Sequence, residues 1–246
     1  MSTKPSKAAI VTGASRGIGK DIALRLAADG FAVAIGYVNN KPQADAVVAE
    51  IQAKGGTAIA VQGNVADADD VTRLFSSVQQ AFGRLDAVVS NAGIMDLAPI
   101  KTDNVAVLDR LMMANVRGTF LVLAKAAEVL GDGGRIVALS TSVIAKATPG
   151  YGPYIASKSA VEGLVHVLAN ELRGRNITVN AIAPGPVATE LFFNGKTEDQ
   201  IAMLAKMSPM ERLGQPVDIA NAVSFLVGTD GAWVNSQVVR VNGGFA

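Results

Sequence analysis

Ala8-Ala9-Ile10-Val11-Thr12-Gly13-Ala14-Ser15-Arg16-Gly17-Ile18-Gly19 joins a short apolar run to a glycine-rich turn and then to a helix-periodic stretch. An apolar run without polar alternation is the pattern of a strand covered on both faces. Glycines allow the turn to be tight and let an anion approach the backbone, where a helix N-terminus offers free N–H groups. The spacing is Gly-x-x-x-Gly-x-Gly, which differs from the Gly-x-Gly-x-x-Gly dinucleotide fingerprint but meets the same physical requirements. Taken alone, the turn is equally compatible with an ordinary strand-to-helix connection.

Outward from that turn the same alternation continues. Apolar runs predict strands at Ala8 to Val11, Val33 to Tyr37, Ala58 to Gln62, Ala87 to Ser90, Arg135 to Ser140, Thr178 to Ile182 and Val238 to Val241. Helical periodicity falls at Gly17 to Asp29, Lys41 to Lys54, Ala68 to Phe82, Val105 to Val129, Gly152 to Leu172 and Pro216 to Val227. Breakers such as Gly55-Gly56 and Gly131-Asp132-Gly133-Gly134 stand where helices should stop. No linker or repeat interrupts the pattern, so 1–246 reads as a single α/β domain. Right-handed crossovers wind such a chain into a Rossmann-like, doubly wound parallel sheet of about seven strands with helices on both faces. Ligands of such sheets bind outside the carboxyl ends of the strands.

Half of the 246 residues are hydrophobic and 17% are charged, which suits a large core. The net charge of +1 comes from scattered Lys, Arg, Asp and Glu, so no footprint for nucleic acid is present and a small-molecule partner is expected. Cysteine is absent and His166 is the one histidine, which argues against disulfides and a metal site. The stretch after Met1-Ser2-Thr3-Lys4-Pro5-Ser6-Lys7 is too short for a signal sequence, and no run could span a bilayer. No membrane association and a cytoplasmic location are the expectation.

Tyr154 and Lys158 are four residues apart on a predicted helix and so share a face. An ammonium beside a phenol favours phenolate, which should bring the tyrosine pKa down from about 10. Such a pair can move a proton. By itself it is equally a solvated helix face; Gly13 to Gly19, Asn115 and Ser142 in the same chain raise it above that.

A chain selecting NAD usually places Asp or Glu at the end of the second strand. Here that region is Gly36-Tyr37-Val38-Asn39-Asn40-Lys41, without a carboxylate, while Arg16 and Lys41 could pair with a 2′-phosphate. NADP(H) is the expected cofactor, unless Arg16 and Lys41 are merely solvated charges.

With these residues assembled, the chain resembles the short-chain dehydrogenase/reductase family from Lys7 to Ala246. The resemblance rests on Thr12 to Gly19, Asn64-Val65, Asn91-Ala92-Gly93, Asn115, Ser142, Tyr154 with Lys158, and Pro184-Gly185 with Thr189. It is strongest to 3-oxoacyl-acyl-carrier-protein reductases and related NADPH-dependent ketone reductases. The resemblance implies that Gly13, Ser15, Arg16, Ile18 and Gly19 hold the phosphates, that Asn64 and Val65 hold the adenine, that Asn91, Ala92 and Gly93 pass the ribose, and that Tyr37 and Asn39 also bind the cofactor. Pro184, Gly185, Val187 and Thr189 would border the nicotinamide. Many members have Asp where Asn64 stands and a second Asn where Ser90 stands; an amide oxygen can still accept from the adenine amine.

The implied reaction moves hydride from NADPH to a ketone or 3-oxoacyl-type carbonyl. In it Tyr154 gives the proton, Lys158 lowers its pKa and bonds the nicotinamide ribose, and Asn115 supports a water-linked path to Lys158. Ser142 would donate to the substrate oxygen; it is preferred to Ser140 and Thr141 because it precedes Val143-Ile144 and so matches the family's Ser-Val pattern. Tyr151 has Ile155 rather than a cation four residues on and is expected in the pocket wall with Ile94, Met95 and Ile144. His166, about 18 Å along the helix from Tyr154, is expected to be structural. Trp233 is expected in the core or at a subunit contact. Residues 186–212, carrying Leu191, Phe192, Phe193, Met203, Met207 and Met210, resemble a substrate lid, or else pack as an ordinary helix pair. Ala156, Ala160 and Gly163 leave a face for close helix approach, and the family's habit makes a homotetramer the expectation. Two alternatives stay open: an alcohol or sugar dehydrogenase working toward oxidation, and a nucleotide-binding regulatory protein without turnover.

Overall fold

A computed structural model describes Pro5 and residues 7–246; the expectation for the first residues therefore falls largely outside the described part. The chain runs β1 (Lys7–Thr12), α1 (Gly17–Ala28), β2 (Phe31–Tyr37), α2 (Lys41–Ala53), β3 (Ala58–Gln62), α3 (Ala68–Phe82) and β4 (Ala87–Ser90). It continues through α4 (Val105–Leu111), a π-helical turn (Met112–Arg117), α5 (Gly118–Val129), β5 (Arg135–Leu139), a 3₁₀ turn (Ser142–Ala145) and α6 (Gly152–Glu171). Last come β6 (Thr178–Pro184), α7 (Glu190–Phe193), α8 (Glu198–Lys206), α9 (Pro216–Val227) and β7 (Val238–Val241).

The seven strands form one parallel sheet in the order β3-β2-β1-β4-β5-β6-β7. Consecutive residues of β1 point to opposite faces, yet all from Ala8 to Thr12 are buried, because helices cover both sides. Ala9 and Val11 join a core with Ile22, Leu26, Val47 and Ile219 on the side of α1, α2 and α9. Ala8 and Ile10 join one with Leu74, Val78, Val122 and Val161 on the side of α3, α5 and α6. This is why the strand carries no polar alternation. The strand order reverses between β1 and β4, so the loops after these two strands diverge and leave a crevice at their carboxyl ends.

Two departures from the sequence expectation bear on the site, together with the form taken by the 186–212 segment. β5 ends at Leu139, which frees Ser140 and Thr141 to turn their side chains out of the ladder. The expected continuous helix from Val105 to Val129 is interrupted by the π turn, and Asn115 within it is fully buried. A π turn of this kind re-aims side chains, here bringing Asn115 against Ile94. The 186–212 segment contains α7 and α8, with capping by Thr189 and a capping box of Thr197 with Gln200.

Candidate active site

Thr12 ends β1 and the chain turns at Gly13 (φ 63°) and Gly17 (φ 54°), both in the left-handed region that disfavours side chains. The turn is closed from the next strand. Asn91, just after β4, donates from Nδ2 to the carbonyls of Thr12 (2.9 Å) and Gly13 (3.0 Å). Thr12 Oγ1 accepts in return from the amides of Asn91 and Ala92, each at 3.0 Å. A Cβ on Gly13 would lie 2.9 Å from Ala92 Cα, and one on Gly19 would lie 2.3 Å from the Gly13 carbonyl and 2.5 Å from Asn91 Nδ2. Glycine is thus required in the turn that leads into α1, because backbone and the Asn91 amide already fill the space a side chain would take. Ser15 is half-buried in this turn and Ile18 packs on the core.

A cleft runs from Gly13 past Tyr37, Val38, Asn64, Val65 and Asp70. Asp70, which sequence reasoning did not single out, holds the Asn64 amide at 2.7 Å, while Asn64 Oδ1 accepts from Ala66. That amide and the Arg73 guanidinium lower the Asp70 pKa. Asn39 is exposed beyond the residues that line the cleft. No carboxylate stands between Tyr37 and Lys41. Both cations of the sequence argument have acidic neighbours: Arg16 pairs with Glu190 at 2.9 Å and Lys41 with Asp45 at 2.6 Å. Exposed pairs of this sort are weak enough to yield to a phosphate.

Tyr154 and Lys158 lie on successive turns of α6, against the end of β5. Lys158 is buried, its Nζ donating to the Leu139 carbonyl at 2.7 Å, and burial lowers its pKa to about 8. The Tyr154 phenol is pushed up to about 12, first by burial; a bond with Thr141 acts the other way and Tyr151 adds to the rise. The expected lowering of this phenol by Lys158 is therefore corrected: the ammonium is turned to Leu139, and removal of the phenolate from water dominates.

The three neighbouring hydroxyls have separate fates. Ser142, the expected donor, is buried; it donates to the Ala183 carbonyl at 2.7 Å and accepts from Asn242 Nδ2 at 2.9 Å, so its single proton is committed. Ser140 donates to Glu162 at 2.6 Å. Thr141 accepts from the Val143 amide at 3.3 Å and keeps its own hydroxyl beside Tyr154. The geometry thus favours Thr141 over Ser142 for a bond to a reacting oxygen.

Asn115 is stitched into the scaffold: Oδ1 accepts from Ile94 N at 2.8 Å, and Nδ2 donates to Ile94 O and Ser157 Oγ, both at 3.0 Å. Gly93 sits where this amide meets the lysine, since a Cβ there would be 2.9 Å from Asn115 Oδ1 and 3.4 Å from Lys158 Nζ. On the opposite wall, Gly185 packs on Asn242, Pro184 closes β6, Val187 pairs with Gly214, and Thr189 caps α7 on the side that a Cβ at Gly17 would meet. Tyr151 is half-buried near Tyr154 and its pKa is raised by burial. Leu191, Met203, Met207 and Met210 of the 186–212 segment are exposed, which does not fit an ordinary packed helix pair. His166 is exposed and bonds Ser236 at 3.1 Å, away from this chemistry. Trp233 is 98% exposed, which rules out the core reading for it. Among the described residues no group of acidic, histidine or cysteine side chains has metal-holding geometry.

A family model described as enoyl-(acyl carrier protein) reductase matches residues 13–246. A short-chain type dehydrogenase/reductase of Picea abies is 46% identical over 251 residues, covering 97% of this chain and 92% of that protein. A 3-oxoacyl-[acyl-carrier-protein] reductase of Staphylococcus aureus is 42% identical, covering 98% of both chains. Among solved structures, a short-chain dehydrogenase from Burkholderia cenocepacia in complex with NADP superposes with a TM-score of 0.90 at 37% identity, covering 97% of each chain.

Substituting Gly19 by Ala tests the packing of the turn. The added methyl meets backbone and the Asn91 amide, so G19A should cost about 1–3 kcal/mol, read as a lowered midpoint in thermal unfolding; an unchanged midpoint would contradict the close packing described.

Proposed function

The chain belongs to the short-chain dehydrogenase/reductase family, and we propose that it reduces a ketone or 3-oxoacyl-type carbonyl with NADP(H), using Tyr154 as the proton donor. The observation that carries this reading is the Tyr154 phenol set beside the Thr141 hydroxyl, one helical turn from buried Lys158. The cofactor, when bound, supplies hydride to the carbonyl carbon; the remaining work falls to the protein.

Gly13, Ser15, Ile18 and Gly19 would hold the pyrophosphate on backbone amides, and Arg16 the 2′-phosphate. Tyr37, Asn64 and Val65 would line the adenosine side with Asn39 at its rim. Asn91 keeps the turn in shape, with Ala92 and Gly93 beside the ribose. Pro184, Gly185, Val187 and Thr189 would form the wall at the nicotinamide. A phenol pushed up to about 12 holds its proton at neutral pH, as a donor must. Thr141 would share the carbonyl oxygen with it and stabilise charge as it develops. Lys158, whose pKa of about 8 leaves it mostly charged at pH 7, would favour the phenolate once it turns from Leu139. Asn115 would keep Gly93 and Ile94 clear of that movement, beside a water-linked route to the lysine.

Ile94, Met95, Ile144 and Tyr151 would line an apolar substrate pocket, with 186–212 as its lid and the exposed methionines as adaptable contacts. On α6, Ala156 and Gly163 are exposed and Val167 is 57% exposed at continuing helical spacing. A second copy could cover this stripe, and a homotetramer is part of the proposal. So is a cytoplasmic site of action; no helix among the described residues is long and apolar enough to cross a membrane.

Replacing Tyr154 by Phe should lower ketone reduction at least 10²-fold with NADPH binding largely kept, as read by steady-state rates and fluorescence titration. T141A should lower kcat by about 10²-fold and S142A by much less; the reverse order would return the donor role to Ser142. Fluorescence titration should also give tighter binding of NADPH than of NADH, and R16A should narrow that gap; a preference for NADH would overturn the Arg16 assignment. Light scattering at micromolar concentration should give four times the 25.3 kDa chain mass, and a monomeric mass would refute the tetramer.

A further inference from the structure

Glu162 continues the stripe that Tyr154 and Lys158 begin, at i, i+4 and i+8 on α6. Lys158 and Glu162 are each bonded to one of three consecutive residues at the end of β5, and the Tyr154 phenol lies beside the third. Tyr154 meets the Thr141 hydroxyl, Lys158 donates to the Leu139 carbonyl at 2.7 Å, and Glu162 accepts from Ser140 Oγ at 2.6 Å. The peptide between Leu139 and Ser140 is also held from the other side, since the Ser140 amide donates to the Ile182 carbonyl at 2.7 Å. Ser140 is only 5% exposed, so its short bond to a carboxylate lies largely out of water and is of the strong, charge-assisted kind. Neither Ser140 nor Glu162 is part of the proposed chemistry.

We propose that Glu162 is a positioning residue. Its bond to Ser140 fixes α6 against the end of β5, and so sets where the Thr141 hydroxyl and the Leu139 carbonyl meet the Tyr154 phenol and the Lys158 ammonium. Ser140 is next to both of these residues, so a tilt of its backbone moves both. Loss of the strut leaves every reacting group present but lets the phenol and the hydroxyl drift apart, and small misplacements of reacting groups are costly.

The inference rests on the proposed reductase reading for its kinetic arm and on hydrogen exchange for an arm that needs no turnover. S140A and E162A should each lower kcat by about tenfold with KM changed less. The double variant should be no worse than either single one, because both remove the same bond. E162Q, whose amide oxygen can still accept from Ser140, should stay within about threefold of the parent. In the cofactor-free protein, peptides covering 139–142 should exchange faster in S140A and E162A and at the parent rate in E162Q. A parent chain that reduces no ketone would sink the reductase reading, and the exchange pattern would still judge the strut. Multiplicative losses in the double variant, or parent-like exchange in both single variants, would overturn the strut itself.

Discussion

The close seating of α6 on the carboxyl end of β5 is the constraint on which the candidate chemistry depends. A parallel strand ends in a carbonyl and two residues that have left the ladder, and here all three points are taken by one helix. The helix brings a phenol, an ammonium and a carboxylate at successive turns. The groups that meet here are buried or half-buried, and their geometry fixes which hydroxyl is free and which is bound. That seating decides why Thr141 rather than its neighbours faces the phenol.

The second wall of the crevice follows from a different economy. Asn91 uses one side chain to hold two carbonyls of the turn after β1, and Thr12 uses one hydroxyl to hold two amides of the loop after β4. The two strands between which the sheet order reverses are thereby locked at the point where a ligand would enter. Glycines are needed there because backbone and the Asn91 amide already occupy the space that side chains would fill. Arg16 projects from this rigid turn to Glu190 at the base of the 186–212 segment, placing an exposed cation at the mouth.

Most of the fold was legible because burial on both sheet faces writes itself as continuous apolar runs, as in β1, β2 and β4. The Gly13 to Gly19 turn was legible from its glycine spacing between an apolar run and a helical period. What stayed hidden depended on three-dimensional company. Ser140, Thr141 and Ser142 are alike in sequence; only Glu162, Tyr154 and Ala183, distant along the chain, give them different partners. The π turn at Asn115 was hidden because the apolar period on either side continues through it. The tyrosine pKa was misjudged because spacing on a helix reports proximity but neither burial nor the direction in which the lysine points. Asp70 was missed because its carboxylate reads as a helix-start residue until its bond to Asn64 places it in the cleft.

The central claim is that desolvation beside Thr141 keeps the Tyr154 phenol protonated in the cofactor-free protein. Folding thus raises this pKa above its unfolded value, and the contribution to stability is lost as pH climbs from about 10 toward 12. Carbon-13 labelling of the three tyrosines, with Y154F to assign the resonance, allows a direct titration by NMR in the cofactor-free protein. The account predicts that the Tyr154 signal stays at its phenol position through pH 10 and moves only toward about 12. A phenolate shift centred at or below pH 10 would contradict it.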